Sequence, residues 1–232
     1  MIRFLLGAAA FAMYSLASAA PMICAPGPLS GYINLGASGC MLGTTTVSSF
    51  VVYPAITNAT AIPPASISVL PTNSNTNPAL SFTTTASAGA NQLFQLLLGY
   101  TISGNFLNGE TLSLSGSAIS GTGVGTALQN YCLGGSFVPN PPNFPGPCSG
   151  PNSGTLAVLN SGSDIVSFAP VTSIAVLNDL TLDGGRTGTI TGGTVTNQFS
   201  AVPEPASFLL LTSGLGIGLL ARRYLKKGVI AS

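Results

Sequence analysis

Few side chains in this chain could carry catalysis. The chain has no histidine, so neither a serine nor a cysteine nucleophile has its usual base. Glycoside hydrolysis by a carboxylate pair would have to use two of Glu110, Asp164, Asp179 and Asp183, and no spacing singles out a pair. Asp164 and Asp183 stand close to glycine and other small residues, which favours a role in turns. The sequence therefore predicts no catalytic residue and a protein that is not an enzyme.

Metal and nucleotide sites have equally weak signatures. Asn178, Asp179 and Asp183 could offer oxygen ligands to calcium, but the regular acidic spacing of an EF-hand is missing. Structural zinc needs close cysteine pairs, usually with histidine, and the chain has neither. In the glycine-rich run at residues 121–125 the third glycine comes one residue too early for a dinucleotide-binding loop. We expect no metal and no cofactor.

The cysteines indicate disulfide chemistry in an oxidising compartment. Four cysteines form two equally spaced pairs, Cys24 with Cys40 and Cys132 with Cys148, in segments rich in glycine and proline. Four cysteines allow three connectivities, and the two sequence-local pairs close the shortest loops. We favour those local pairs and a stabilising role for both disulfides.

The charge distribution excludes one class of partner. Charged residues make up only 5% of the 232 residues, against about 25% in typical soluble domains. Between the two ends a single basic residue, Arg186, stands against four acidic ones, which leaves a net charge of −3. Because no stripe of Lys and Arg is available to neutralise phosphates, we expect no nucleic-acid partner.

Residues 1–19 have the features of a secretory signal peptide. Arg3 precedes an apolar stretch over residues 4–16, and Ala17, Ser18 and Ala19 form the small-residue pattern of a signal-peptidase site. The stretch is shorter than the roughly 20 residues of a membrane-spanning helix. We place the cut before Ala20, which makes signal peptidase a processing partner.

A second apolar segment lies near the C-terminus. Residues 206–221 are uncharged, and Arg222, Arg223 and two lysines follow them. As a helix this segment would cover about 24 Å, slightly less than a hydrocarbon core of about 30 Å. Because the basic cluster follows the span, residues 222–232 are predicted to stay in the cytoplasm, with the preceding domain across the membrane. A plain tail anchor and a buried helix are the alternatives.

Pro203, Glu204 and Pro205 stand directly before this apolar run. The two prolines fix φ near about −65° and hold Glu204 on a stiff, extended segment outside the helix. With Arg222 and Arg223, the motif resembles the PEP-CTERM signal of bacterial exosortase substrates. The resemblance implies that a membrane-embedded exosortase recognises residues 202–232 and removes the tail.

The same resemblance implies a destination. The protein would be exported and transiently anchored in the inner membrane, with its ectodomain in the periplasm. It would then reach the cell surface or the exopolysaccharide of a biofilm. Permanent anchoring would require the tail to stay in place.

Residues 20–201 form the predicted secreted ectodomain. Their apolar residues alternate more often than they recur at helical spacing, which predicts an all-β fold. We expect an antiparallel β-sandwich or jelly-roll-like ectodomain, with a loosely ordered Gly/Ser/Thr-rich stalk as the alternative. The candidate strands are Thr45–Tyr53 and residues 65–70, 79–85, 155–159, 164–168, 174–182 and 187–196.

The clearest local pattern is that of a β-hairpin. Apolar residues recur at every second position over residues 94–102 and again at Leu112 and Leu114. Between them lie Asn108 and Gly109, the pair best suited to a tight type I′ turn. We therefore expect the chain to reverse direction there.

Three functions are compatible with these features. The first is a non-enzymatic surface or matrix protein associated with exopolysaccharide. The second is a lectin-like module that binds a carbohydrate on a concave face carrying aromatic residues such as Tyr53, Tyr100 or Tyr131. The third is a secreted hydrolase in which two carboxylates converge in a cleft. Phe137 and Phe144, inside the second cysteine loop, could form a recognition loop, but we expect them to fold back and cap the sandwich.

Overall fold

The computed structural model describes residues 22–56, 58–138 and 146–202, without the side chain of Asn105. The predicted signal peptide, the cleavage site at Ala17, Ala19 and Ala20, and the PEP-CTERM segment all lie outside these residues. Within the described ranges, no helix is long and apolar enough to cross a bilayer. The predicted span at residues 206–221 is not among them.

The described chain is almost entirely β-structure, as predicted. Its elements, in chain order, are β1 (Gly27–Pro28), α1 (Leu29–Asn34), β2 (Cys40–Leu42), β3 (Thr45–Tyr53), β4 (Thr60–Ala61), a 3-10 turn (Pro64–Ser66), β5 (Ile67–Thr72), β6 (Ala79–Ala88), β7 (Leu93–Ser115), β8 (Ala118–Ser120), β9 (Val124–Leu133), β10 (Asn152–Leu159), β11 (Gly162–Asp183) and β12 (Thr189–Ala201). All strands join one sheet, which is antiparallel except where β4 pairs with β7.

Two long strands, β7 and β11, curl this sheet into two layers. The first half of β7 pairs with β3 and with the second half of β11, which continues to β9 and β10. The second half of β7 pairs with β12, which continues to β6, β5 and β1. We call these parts the β9 layer and the β6 layer. They face each other as in a β-sandwich, with β7 and β11 running through both.

The predicted hairpin at Asn108 and Gly109 is wrong, because β7 continues through both residues without a break. Gly109 pairs with Ser167 of β11 and with Ser200 of β12, so its backbone belongs to the sheet interior. Next to this point the registers of both neighbouring strands shift. Asn-Gly therefore marks the place where the strand bends from one layer into the other, not a reversal of the chain.

Other strand predictions fare better. The strand predicted at Thr45–Tyr53 has those bounds in the structure. The strands predicted at residues 164–168 and 174–182 are two parts of the single strand β11, joined through an irregular stretch near Val171. Strand β9 was missed: it is not among the candidate strands, and the glycine-rich run at residues 121–125 extends into its first two residues.

Aromatic rings join the two layers at one end of the core. The ring of Tyr100 in β7 stacks on Phe50 of β3 at a centroid distance of 5.3 Å. On its other side, Tyr100 lies 6.0 Å from Phe82 of β6. Because β3 and β6 belong to different layers, these contacts hold the layers face to face.

A chain of buried polar side chains joins the layers elsewhere in the core. Asn178 of β11 and Asn197 of β12 exchange two amide hydrogen bonds, of 3.0 and 3.1 Å. Asn197 also donates to Oε1 of Gln129 in β9, and Gln129 donates to Oε1 of Glu110 in β7. None of the four side chains is more than 3% exposed. We call this set the core amide chain.

Glu110 ends the core amide chain in an environment that disfavours its charged form. Burial raises its pKa to about 8, although the hydrogen bond from Gln129 acts in the opposite direction. Its Oε2 atom has no hydrogen-bond partner among the described residues. The carboxyl group is therefore protonated in the folded protein at neutral pH; if it ionised, its negative charge would face the buried phenol group of Tyr100 and the half-buried one of Tyr131.

This buried carboxyl group makes stability depend on pH. Between its unfolded pKa and about 8, folded Glu110 holds a proton that the unfolded chain has lost, so the free energy of unfolding falls as pH rises. We expect Glu110→Gln to match the wild type near pH 5 and to be more stable by a few kcal/mol near pH 8, at about 1.4 kcal/mol per unit of pKa shift. Urea unfolding of the mature protein at both pH values measures this. A wild-type stability that is unchanged over the range would contradict it.

Candidate functional site

The outward face of the β9 layer brings together a row of residues from four strands, apolar except for its last member. Val51 of β3 lies opposite Gly99 of β7, and Gly99 lies opposite Leu177 of β11. Leu177 in turn lies opposite Asn130 of β9. Because successive residues of a strand alternate between faces, the outward position of Gly99 follows from the buried neighbours on either side of it.

A hollow of about 260 Å³ opens over this row and has Tyr53 at its edge. We call it the Tyr53 hollow. A side chain at Gly99 would fill part of it, since a Cβ atom there would lie 3.0 Å from Cε2 of Tyr53 and 3.1 Å from Cγ1 of Val51. The missing side chain thus lets the Tyr53 ring lie close against β7. Ser49, Thr101 and Ser136 also line the hollow and bring hydroxyl groups to it.

Phe137 lines the Tyr53 hollow and comes from the loop closed by the Cys132–Cys148 disulfide. Phe137 forms an isolated antiparallel bridge with Cys148. The next residue, Val138, donates its backbone N–H to the carbonyl of Pro147, and Ser149 donates to that of Ser136. The two arms of the loop are therefore tied to each other on both sides of Phe137.

A second hollow, of about 300 Å³, also has Phe137 in its lining. We call it the Tyr131 hollow, since Tyr131, Asn130 and Thr155 contribute to its wall. Thr155 donates its hydroxyl proton to Oδ1 of Asn130 at 2.7 Å. The amide nitrogen of Asn130 has no hydrogen-bond partner among the described residues. Phe137 is thus shared by two neighbouring hollows that both offer polar groups.

A polar cluster lies one register row beyond the Tyr53 hollow. Gln95 donates from Nε2 to both carboxylate oxygens of Asp179 at 3.0 Å, and Thr181 donates to Oδ1 at 3.0 Å. Oε1 of Gln95 accepts the backbone N–H of Ile56 at 2.7 Å. Burial raises the pKa of Asp179, although both side-chain hydrogen bonds oppose that rise. The cluster fixes one carboxylate in place on the outward face.

The four acidic residues considered from the sequence occupy different environments. Glu110 is enclosed in the core, whereas Asp179 lies on the outward face of the β9 layer. Asp183 accepts the backbone N–H of Gly185, so its predicted role in a turn is confirmed. Asp164 does not act in a turn: it lies within β11 and accepts the N–H of Ala157.

The calcium arrangement considered from the sequence does not fit the strand geometry. Asp179 and Asp183 are four residues apart in β11, about 13 Å at about 3.3 Å per residue. Their carboxylates cannot reach one ion from that distance. Among the described residues, no group of three or more His, Cys, Asp and Glu side chains could hold a metal.

The three tyrosines proposed for a lectin-like face lie in three different environments. Tyr53 lies at the hollow, as that hypothesis required. The ring of Tyr100 is buried in the core between Phe50 and Phe82, so its assignment to a surface face was wrong. Tyr131 lines the second hollow and packs against Phe168 at 6.1 Å.

Phe137 folds back on the sheet, as expected, but it caps the outward face and not the core. Phe144 lies outside the described residues. Sequence reasoning did not identify Gly99, Leu177 or the Gln95–Asp179 pair as parts of a site. The signal for them was the unbroken apolar run Leu96, Leu97 and Leu98, which implies that both faces of β7 are covered at that point.

Comparison with known proteins identifies no family. No family model matches the sequence, and no curated protein matches it. A solved structure, that of TmCBM61 in complex with β-1,4-galactotriose, is 14% identical, and the match covers 74% of this chain and 94% of that one. Its TM-score is 0.29. A similarity at this level supports no conclusion about fold or ligand, so the site rests on its own geometry.

The disulfide at Phe137 can be tested against a matched control. Both disulfides, Cys24–Cys40 and Cys132–Cys148, span a sequence separation of 16, so loop entropy predicts an equal stability loss of about 3 kcal/mol for each double Cys→Ser variant. Only loss of Cys132–Cys148 should speed amide exchange at Val138 and Ser149, whose N–H groups bond across the loop. Urea unfolding and hydrogen exchange measure the two effects. Unchanged protection of those amides would mean that the loop is held without its disulfide.

Proposed function

We propose that this protein is an exported, non-enzymatic surface or matrix protein that binds extracellular polysaccharide through the outward face of the β9 layer. The observation that carries the proposal is the pair of hollows that share Phe137 in their lining. One has the Tyr53 ring and an apolar floor, and the other has the amide of Asn130. The proposal combines two of the candidate functions, the matrix protein and the lectin-like module. Its activity would be the binding of polysaccharide.

The chemistry of sugar rings fits such a face. A pyranose ring has an apolar C–H surface that packs on aromatic and aliphatic side chains, and it has hydroxyl groups around its edge. Ligand sites in general combine apolar lining with a few placed polar groups. Here the floor is Gly99 and Leu177, with Ser and Thr hydroxyls nearby. The two hollows, of about 260 and 300 Å³, each suit one or two sugar units of a longer chain.

A carboxylate-based hydrolase is the weaker proposal. It needs two carboxyl groups facing one open cleft. Glu110 is 1% exposed and hydrogen-bonded inside the core, so it cannot meet a polymer. Asp179 lies on the opposite side of the β9 layer from the core. Binding without cleavage accounts better for these positions.

Export and sorting complete the proposal. The two disulfides suit an oxidising compartment outside the cytoplasm. Signal peptidase would cut before Ala20, and an exosortase would process the chain at Pro203, Glu204 and Pro205. The ectodomain would then be released to the cell surface, where exopolysaccharide is the polymer at hand.

Removal of the Phe137 ring should weaken binding. We expect Phe137→Ala to lose at least about tenfold in affinity, or about 1.4 kcal/mol, because the ring contributes to both hollows. Phe106→Ala is the matched control, since that ring is 44% exposed and lines neither hollow. Titration calorimetry against a panel of neutral, amino and acidic polysaccharides supplies the measurement. If no polysaccharide binds the wild type, the proposed function is wrong.

The sorting signal can be tested in a host that has an exosortase. We expect the mature wild-type protein to lack the peptide that carries Arg222 and Arg223. A chain with Pro203→Ala and Glu204→Ala should keep that peptide and stay in the membrane fraction, because the stiff recognition segment is lost. Cell fractionation with mass spectrometry of the C-terminal peptide distinguishes the two. An intact tail on the mature wild-type protein would favour a plain anchor.

A further inference from the structure

The charges around the binding face are almost all of one sign. Between residues 22 and 202 the single basic residue is Arg186, which follows β11 in the connection to β12. Three aspartates stand against it, since the fourth acidic residue, Glu110, is neutral in the core, and one of the three, Asp179, is fixed beside the Tyr53 hollow. No group in the described part of the chain supplies a positive charge near that hollow.

Asp179 is held by neutral donors alone. Gln95 contributes an amide and Thr181 a hydroxyl, and no cationic side chain among the described residues pairs with the carboxylate. Its Oδ1 atom accepts two hydrogen bonds, whereas Oδ2 accepts one. A carboxylate oxygen can accept two, so Oδ2 can accept a further donor. The negative charge is therefore oriented by its neighbours but not neutralised by them.

The register places this carboxylate close to the aromatic edge of the hollow. Tyr53 lies opposite Leu97, and Leu97 lies opposite Asp179. The two residues are thus two strand spacings apart, about 9.5 Å. A sugar polymer that packs on Tyr53 and crosses β7 along this row passes over Leu97 and reaches Asp179.

We infer that the outward face of the β9 layer binds glycans with protonated amino groups more tightly than their N-acetylated and acidic counterparts. Asp179 is the residue that recognises the positive charge of the glycan. This inference rests on the proposed function. An ammonium group offers donors to Oδ2 of Asp179 together with an opposite charge. An N-acetyl group offers a single neutral donor and more bulk. A uronate or sulfate is repelled, since no basic side chain compensates for Asp179.

The test compares matched oligomers on the full mature chain. Glucosamine hexamer and N-acetylglucosamine hexamer are titrated at a pH just low enough to protonate the free amino groups, with polygalacturonate as the acidic probe. A more acidic buffer is avoided, because burial raises the pKa of Asp179 and low pH favours its neutral form. We expect the wild type to bind the amino hexamer at least about tenfold more tightly than the acetylated one, a difference of about 1.4 kcal/mol. The preference should shrink in high salt, because it is electrostatic. Polygalacturonate should not bind.

Substitutions at Asp179 and Asp183 distinguish recognition of the glycan's charge from a structural effect of the mutation. Asp179→Asn should remove the preference by weakening binding of the amino hexamer at least about tenfold, whereas Asp179→Glu should keep it. Asp183→Asn, which removes the same charge four residues away in β11, should also keep it. Equal binding of the two hexamers by the wild type, binding of polygalacturonate, or a preference that survives Asp179→Asn would overturn the inference while leaving polysaccharide binding intact. If no polysaccharide in any panel binds, the proposed function fails as well.

Discussion

The core amide chain is the constraint on which the rest of this structure depends. Asn178, Asn197, Gln129 and Glu110 come from four strands and are hydrogen-bonded to one another in the dry interior. A slip of one residue in any of these strands would turn its polar group outwards and leave a partner unsatisfied, which costs about 1–3 kcal/mol per group. Because Asn178 must point inwards, Leu177 and Asp179 must point outwards. The inward position of Gln129 places Asn130 on the outward face in the same way, so the core register also determines the binding face.

Buried amides, not ion pairs, provide the polar specificity inside this otherwise apolar core. Only 5% of its residues are charged, and the described residues share no ion pair. Buried amides can specify pairing without the large desolvation penalty of buried ions. Glu110 is the one member that could ionise, and its raised pKa keeps it neutral at ordinary pH. Two disulfides add stability that the sparse surface charges cannot supply.

The sequence was informative wherever a pattern reflects one strand in one environment. Thr45–Tyr53 pairs only within the β9 layer, and its bounds were predicted correctly, although a register shift between Ser48 and Val51 interrupts its alternation. The strand predictions failed where one strand belongs to both layers. Asn108 and Gly109 favour a turn locally, but pairing with β11 and β12 on both sides outweighs that preference. Strand β9, whose outward residues include Asn130, was likewise not predicted, because glycines precede it.

The candidate site was harder to predict than the fold, because its parts come from distant segments. Tyr53 could be named as an aromatic candidate, but nothing in the sequence shows that its ring lies against Gly99 or that Asp179 stands two strands away. Such neighbours follow from register, which depends on the core and not on local pattern. Phe137 depends in addition on a disulfide whose pairing the sequence left open among three connectivities.

A face with so little charge makes a single carboxylate important. On an ordinary protein surface, neighbouring charges of both signs would offset Asp179, and salt would screen what remained. Here the neighbouring side chains are apolar, hydroxyl or amide groups, and the carboxylate is partly buried against Gln95. Its field is therefore weakened less by its surroundings than that of a fully exposed group. In the proposed site the aromatic rings and hydroxyl groups would provide affinity for sugar polymers in general. Asp179 would determine that positively charged polymers are preferred.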